Sequence, residues 1–206
     1  MDWKTFYDSY EAFEQDELVQ KFLNLSDYGP AKEIVEVLDD VDDDQDISSI
    51  VLKAADKGAF DSVKALEELE MSVSTKVLDQ VIEKFAEGRK LSMDELERLG
   101  DIASEDKFSE ILEDQLDMGV AFTADEIETL DEYLNNDDVL IRLIEEVKAP
   151  LTIEDIENLD FLLPDGERID DVLAARGDLS GALLEWEKEN NMDGDFDDLD
   201  DIDGDY

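Results

Sequence analysis

The chain has 206 residues, of which 62 are Asp or Glu and 17 are Lys or Arg, so its formal net charge at pH 7 is −45. It contains no Cys, which excludes disulfides and thiolate metal sites, and no His, which removes the usual general base and the commonest metal ligand. The apolar share of 42% is nevertheless enough for a folded core.

Aromatic residues are concentrated at the beginning of the chain. The first 28 residues contain Trp3, Phe6, Tyr7, Tyr10, Phe13, Phe22 and Tyr28. Phe6, Tyr10 and Phe13 would share one face of a helix, which predicts a packed N-terminal cap. The alternative is an exposed aromatic patch for a partner or for a second copy of the chain. We assign residues 1–45 to this cap and a following acidic loop, in which Asp42, Asp43 and Asp44 are candidate partner-binding residues.

The sequence pattern of residues 46–190 is typical of a helical repeat domain. Apolar stripes at helical spacing occur in the segments 47–55, 60–69, 77–85 and 179–186. No alternating pattern predicts a sheet. The segment from Ala54 to Leu66 resembles the helical part of an ankyrin repeat, although the Thr-Pro-Leu-His turn signature of that family is absent. The pattern predicts an all-α fold of stacked helical hairpins, either an α-solenoid or an irregular helical bundle.

Three segments within this domain align with one another, starting at Leu91, Phe122 and Leu151, which are 31 and 29 residues apart. Each opens with an apolar residue, then Ser92, Thr123 or Thr152, and an acid three positions later. This is the pattern of a capping box preceded by a hydrophobic staple, so it predicts the start of a helix. A second apolar stripe follows each helix, and the unit is therefore a hairpin of about thirty residues.

The alignment places carboxylates in three columns. The columns are Asp94, Asp125 and Glu154; Glu95, Glu126 and Asp155; and Glu97, Glu128 and Glu157. Equivalent positions of stacked units are expected about 10 Å apart, which would form a regular array of negative charge resembling a phosphate backbone. The alternative is that acids in a first helical turn merely stabilise the helix dipole. Acids placed near predicted helix C-termini, such as Glu145 and Glu146, do not fit that alternative.

The last segment, residues 191–206, is an acidic tail. From Asp193 it contains eight Asp and no basic residue, interrupted by four apolar residues. Such a tail is ordinarily solvated. We include its carboxylates among the candidate partner-binding residues: Asp195, Asp197, Asp198, Asp200 and Asp201.

Metal binding and catalysis are the competing functions. Segments starting at Asp40 and Asp193 place Asp at positions 1, 3 and 5 of a calcium loop, but Gln45 and Asp198 replace the required Gly, and neither segment has the closing Glu. We therefore expect only weak, nonspecific binding of divalent cations, and no cofactor.

No phosphate loop, nucleophile elbow or His or Cys constellation points to an enzyme. Halophilic adaptation would also explain acidity, but Lys outnumbers Arg by 12 to 5.

The composition of the whole chain resembles that of DNA-mimic inhibitors, the anti-restriction and anti-CRISPR proteins of phages and plasmids. The resemblance implies a non-catalytic binder that occupies the basic cleft of a nucleic-acid-binding protein. The alternative is a helical-repeat adaptor or an acidic chaperone for a basic protein. In either case the partner is a basic protein. No direct binding to nucleic acid is expected, because the basic residues form no stripe.

Two features of the sequence bear on the cellular location: the length of its apolar stretches and its first residues. No stretch approaches 18 apolar residues, and Met1-Asp2-Trp3-Lys4 begins no signal peptide. The sequence therefore predicts a cytoplasmic protein without a membrane partner. Its oligomeric state is open between monomer and dimer.

Overall fold

The computed structural model describes residues 1–174, 176–177 and 180–190. These residues form thirteen α-helices and one 3-10 turn at Tyr10–Ala12, with no strand among them, so the predicted all-α class is confirmed. The helices are α1 Trp3–Tyr7, α2 Gln15–Leu23, α3 Ala31–Leu38, α4 Asp44–Ala55, α5 Val63–Glu67, α6 Thr75–Ala86, α7 Met93–Ile102, α8 Glu105–Asp117, α9 Ala124–Asp131, α10 Asp137–Glu145, α11 Ile153–Leu162, α12 Ile169–Val172 and α13 Ser180–Asn190.

The chain divides into two compact units, Met1–Met118 and Gly119–Tyr206. The boundary falls inside the predicted 46–190 repeat domain. Helix packing also crosses the predicted boundary at residue 45, because α2 packs on α4 and α3 packs on α5.

The first unit is built from two rows of helices. One row is α2, α4, α6 and α8, and the other is α3, α5 and α7, with each helix packed on the next member of its row. Neighbours along the chain, such as α5 with α6 and α7 with α8, form the hairpins. Contact between every second helix is the arrangement expected of stacked hairpins.

The second unit repeats this arrangement. Helices α9, α11 and α13 form one row, α10 packs on α12, and the pairs α9–α10 and α11–α12 form hairpins. The predicted second helix of the last hairpin is short, since α12 spans only Ile169–Val172. Of its predicted apolar stripe, Ile169 and Leu173 are fully buried, whereas Val172 is only half-buried.

Several polar contacts join residues about thirty positions apart. The Trp3 indole donates to Glu33, 30 residues later, and the Arg98 guanidinium donates to Glu67, 31 residues earlier. In the second unit the Arg176 guanidinium donates to the Glu145 carbonyl, which is also 31 residues away. These spacings match the repeat period of the aligned segments and extend it to the N-terminus.

The core follows the apolar stripes predicted from the sequence. Leu96, Leu99, Ile127, Leu130 and Ile156 are fully buried, as are their counterparts in the upstream helices. Full burial of a Leu or Ile side chain stabilises a fold by about 1.5–3 kcal/mol. The stripe of one short helix is too small to form a core alone, so each hairpin depends on its neighbour.

Two local predictions are corrected by the structure. The N-terminal helix ends at Tyr7, and Tyr10 and Phe13 reach the buried Phe6 ring through the 3-10 turn instead of along one helical face. The acidic segment 39–46 is not entirely a loop. Helix α4 begins at Asp44, because the Asp43 carboxylate accepts hydrogen bonds from the backbone N–H groups of Gln45 and Asp46.

Candidate acidic interaction surface

The three aligned helices α7, α9 and α11 begin with complete capping boxes. The Ser92, Thr123 and Thr152 side chains accept hydrogen bonds from the backbone N–H groups three residues later. In return, one carboxylate in each box accepts from the backbone N–H of the capping residue, at 2.9 Å for Glu95, 2.8 Å for Glu126 and 2.7 Å for Asp155. The predicted capping boxes are therefore confirmed.

The capping carboxylates serve local structure first. The hydrogen bond from the Ser92 backbone lowers the pKa of Glu95 below its usual value, with further lowering by the Ser92 hydroxyl and by Arg89. Arg89 lies 3.5 Å from the Glu95 carboxylate. Glu95, Glu126 and Asp155 are also only half-exposed. The carboxylates of this column are thus already hydrogen-bonded to the N-termini of their own helices.

The neighbouring column has a different environment. Asp94, Asp125 and Glu154 lie in the same first turns as the capping acids, but they are exposed. Asp94 lies 3.7 Å from Arg98, one turn later on α7, and its side chain remains 82% exposed. A contact that open to solvent leaves most of the carboxylate's charge available to a partner.

The third column is mostly exposed as well. Glu128 and Glu157 are exposed on α9 and α11, whereas Glu97 on α7 is half-buried. Because α9 packs on α11, the second unit brings together two helices with the same acidic pattern. We define the acidic array as the four exposed carboxylates of these two helices, Asp125, Glu128, Glu154 and Glu157.

The acidic segment before α4 is divided in the same way. Asp43 caps the helix through hydrogen bonds of 2.9 and 3.1 Å, so its carboxylate is engaged. Asp42 and Asp44 are exposed on either side of it. Asp44 lies in the first turn of α4, where the helix dipole favours an acid, so its presence needs no functional explanation.

An acidic groove in the first unit was not predicted from the sequence. It has a volume of about 630 Å³ and lies where α6 and α8 end, lined by Glu83, Glu87, Asp114, Asp117 and Lys84 among others. The hydrogen bond between Lys84 and Asp56 raises the pKa of the lysine and lowers that of the aspartate. A detectable signal was present in the sequence, because Glu83 and Glu87 are spaced by one helical turn near a helix C-terminus.

The remaining candidates lie outside the described residues. These are the tail carboxylates Asp195, Asp197, Asp198, Asp200 and Asp201, whose role stays a prediction. Within the described ranges, no group of three or more acidic side chains is arranged to hold a metal ion. None of the helices described is both long and apolar enough to cross a membrane.

The fold and the site thus define an all-α chain of stacked hairpins with exposed carboxylates at repeated helix starts. Comparison of the chain with protein-family models, with curated proteins and with solved structures gives no match. The roles of the carboxylates are accordingly assigned from the chemistry of this chain.

Proposed function

We propose that this protein is a non-catalytic DNA mimic that binds a nucleic-acid-binding protein and inhibits it by occupying its basic cleft. The target would be a nuclease, a restriction or CRISPR effector, or a DNA-binding regulator. The observation that carries the proposal is the acidic array. Its four carboxylates occupy matching positions on two packed helices and remain exposed, whereas the adjacent acids are engaged in helix caps.

The physical basis is competition for cations that normally bind phosphates. A cleft lined by Lys and Arg gains affinity for DNA from neutralising phosphate charges. An array of exposed carboxylates presents the same sign of charge to the same side chains. The net charge of −45 also attracts a basic partner over a distance, which raises the association rate.

An adaptor or acidic chaperone for a basic protein is the second candidate. It is favoured by the N-terminal aromatic residues, because Tyr7, Tyr10 and Phe13 are only half-buried. In that case the aromatic surface would bind the partner, and the partner would keep its nucleic acid.

The first experiment identifies the partner and separates the two candidates. The immobilised protein is incubated with a lysate, bound proteins are eluted with rising salt, and mass spectrometry identifies them. Each purified partner is then tested by gel shift with its own nucleic acid. A mimic displaces the nucleic acid in proportion to the fraction of partner that it has bound. An adaptor leaves the complex of partner and nucleic acid intact.

A matched pair of variants tests the acidic array itself. The array variant combines Asp125→Asn, Glu128→Gln, Glu154→Gln and Glu157→Gln. The control variant removes the same charge from exposed acids outside the array, at the C-terminal end of α9 and on α10: Glu132→Gln, Asp137→Asn, Asp138→Asn and Glu145→Gln. We expect the concentration that displaces half of the nucleic acid to rise at least tenfold more for the array variant than for the control variant. This difference corresponds to about 1.4 kcal/mol of binding free energy. Equal loss in both variants would mean that total charge, and not the array, determines binding.

Two further measurements bear on the same proposal. Affinity for the partner should fall steeply as salt rises, because exposed charges are screened beyond about 8 Å at physiological ionic strength. The protein alone should bind neither DNA nor RNA, and a micromolar affinity for either would contradict the mimic. Affinity for the partner that is insensitive to salt would favour the adaptor.

A further inference from the structure

The N-terminal aromatic residues form a cluster that is buried on one side and partly exposed to solvent on the other. The Phe6 ring is fully buried and lies 5.6 Å from the Phe22 ring, centroid to centroid. Tyr10 stacks on Tyr7 at 5.5 Å with an interplanar angle of 23°, and both rings are half-exposed. The cluster therefore presents tyrosine rings to solvent on a rigid base.

Two grooves flank the Tyr10 ring. One has a volume of about 370 Å³ and includes Phe13 and Asp40, and the other has about 450 Å³ and includes Tyr7 and Glu36. Tyr10 and Glu11 line both. The volumes lie within the range of pockets for small ligands, so each groove can accept one long side chain.

Carboxylates surround these rings. Burial raises the pKa of Tyr10, and the charges of Asp40, Glu11, Glu36 and Asp39 raise it further. The Tyr7 hydroxyl donates a hydrogen bond to Glu36, which raises the pKa of Tyr7 to about 12. Both phenols are neutral at pH 7, as tyrosines ordinarily are, and negatively charged carboxylates lie near both rings.

The cluster already holds one cation of its own. The Lys21 ammonium lies 4.5 Å from the centroid of the Phe13 ring, within the distance of a cation–π contact. The same ammonium is 3.3 Å from the Glu17 carboxylate. A ring face and a carboxylate thus bind a single cation together here. Tyr10 lines a groove together with the carboxylates of Glu11 and Asp40.

We propose that the surface around Tyr10, with Glu11 and Asp40 beside the ring, binds an arginine side chain of a basic partner protein. A guanidinium is planar, so it can stack on a tyrosine ring while its N–H groups bind a carboxylate. A lysine ammonium can also make both contacts, as Lys21 does, but it offers no planar face for stacking and no paired N–H groups for a carboxylate. A second copy of the chain is disfavoured as the occupant, because it would bring a net charge of −45 against an equal charge.

The proposal goes beyond the acidic array and does not depend on whether the partner binds nucleic acid. Its test therefore uses a synthetic probe, a fluorescent hexa-arginine peptide, with hexa-lysine as the comparison. Binding to the full chain is measured by fluorescence anisotropy in about 0.3 M salt, where contacts between fully exposed charges are strongly screened. We expect hexa-arginine to bind more tightly than hexa-lysine.

The ring is tested by Tyr10→Leu, which removes the π face and leaves the charge unchanged. We expect a loss of about twofold to fivefold in affinity for hexa-arginine, as for a partly exposed cation–π contact, and a smaller difference between the two peptides. Tyr10→Phe should retain the affinity. Phe161→Leu is the matched control, because it removes an aromatic ring that is 89% exposed on α11. Unchanged affinity for Tyr10→Leu, or an equal loss in the control, would overturn the proposal.

A second variant covers the case in which Tyr10→Leu perturbs folding. Glu11→Gln changes an exposed carboxylate in both grooves, and Glu70→Gln changes an exposed carboxylate in the turn after α5. We expect only Glu11→Gln to reduce the preference for arginine. Equal effects would overturn the proposal, as would concentration-dependent dimerisation that Tyr10→Leu abolishes. Failure here leaves the DNA-displacement test of the acidic array unaffected.

Discussion

The Arg98 guanidinium on α7 binds the Glu67 carboxylate on α5 through two parallel hydrogen bonds, from Nε to Oε1 at 2.8 Å and from Nη2 to Oε2 at 2.7 Å. Both side chains are about one-third exposed. The pair connects two helices of one row in the first unit, and its planar geometry is one that lysine cannot reproduce.

This pair predicts a specific dependence of stability on pH. The hydrogen bonds from Arg98 lower the pKa of Glu67 from the usual 4.5. A lowered pKa in the folded state stabilises the fold above pH 4.5, and the contribution disappears as the pH falls through the folded-state value. We expect Arg98→Met to lower the melting temperature by about 1–3 °C at pH 7, and the effect to shrink as the pH falls below 4.5. Calorimetry of both proteins across this range measures the difference, and a constant difference would contradict the assignment.

Gln115 on α8 supplies the second prediction. The side chain is fully buried, its Nε2 donates to the Arg89 carbonyl at 2.9 Å, and its Oε1 accepts from the Leu91 N–H at 2.9 Å. Gln115→Leu would leave two backbone groups of the α6–α7 connection without these partners, at a cost of about 2–4 kcal/mol. Urea denaturation measures the loss. Gln20→Leu, an exposed glutamine on α2, is the control and should change the free energy of unfolding by less than about 0.5 kcal/mol.

The third prediction separates capping from charge in one helical turn. Glu126 closes the capping box of α9, whereas Asp125 beside it is exposed. Glu126→Ala and Asp125→Ala remove the same charge from the same turn, so the helix dipole and the net charge change equally. We expect only Glu126→Ala to destabilise the fold, by about 0.5–1 kcal/mol. Equal free energies of unfolding for the two variants would show that the box contributes nothing.

The fourth prediction concerns an acid whose charge opposes folding. Burial raises the pKa of Asp131 from its usual 3.8, and the charges of Asp137 and Glu132 raise it further. A raised pKa favours the protonated carboxyl in the folded state, so this stabilisation is present below pH 3.8 and is lost as the pH rises. Asp131→Asn should therefore increase the melting temperature at pH 7 by about 1–3 °C, and the gain should vanish near pH 3. Glu70→Gln controls for the general loss of negative charge.

The fifth prediction concerns the acidic tail. Deleting Asp193–Tyr206 removes eight carboxylates, and we expect weaker binding to the partner, with a melting temperature that holds or rises because self-repulsion falls. Replacing Phe196, Leu199, Ile202 and Tyr206 by Ser keeps every charge. Weaker binding by this variant would indicate that the tail docks, whereas a merely solvated tail should tolerate the change. Unchanged affinity for both variants would place the function in the hairpins alone.

Local signals in the sequence predicted most of the helices from residue 44 onward, but not α2 or α3. The capping boxes at Ser92, Thr123 and Thr152 were readable because a cap is made by residues three positions apart. The buried positions were readable because apolar residues recur at the helical period. The start of α4 was not predicted, because several consecutive Asp residues could cap the helix and only the structure shows that Asp43 does so.

The sequence alone determined the all-α class, the repeat of about thirty residues and the sign of the surface charge. Tertiary structure decided which side chains contact one another across the fold. Arg98 and Glu67 are 31 residues apart, so their contact depends on how one hairpin stacks on the next, whereas Gln115 and Leu91 are 24 apart and depend on how one hairpin closes. Local caps already separate Glu126 from its exposed neighbour Asp125, but an acid such as Glu67 holds the fold only because stacking brings Arg98 to it.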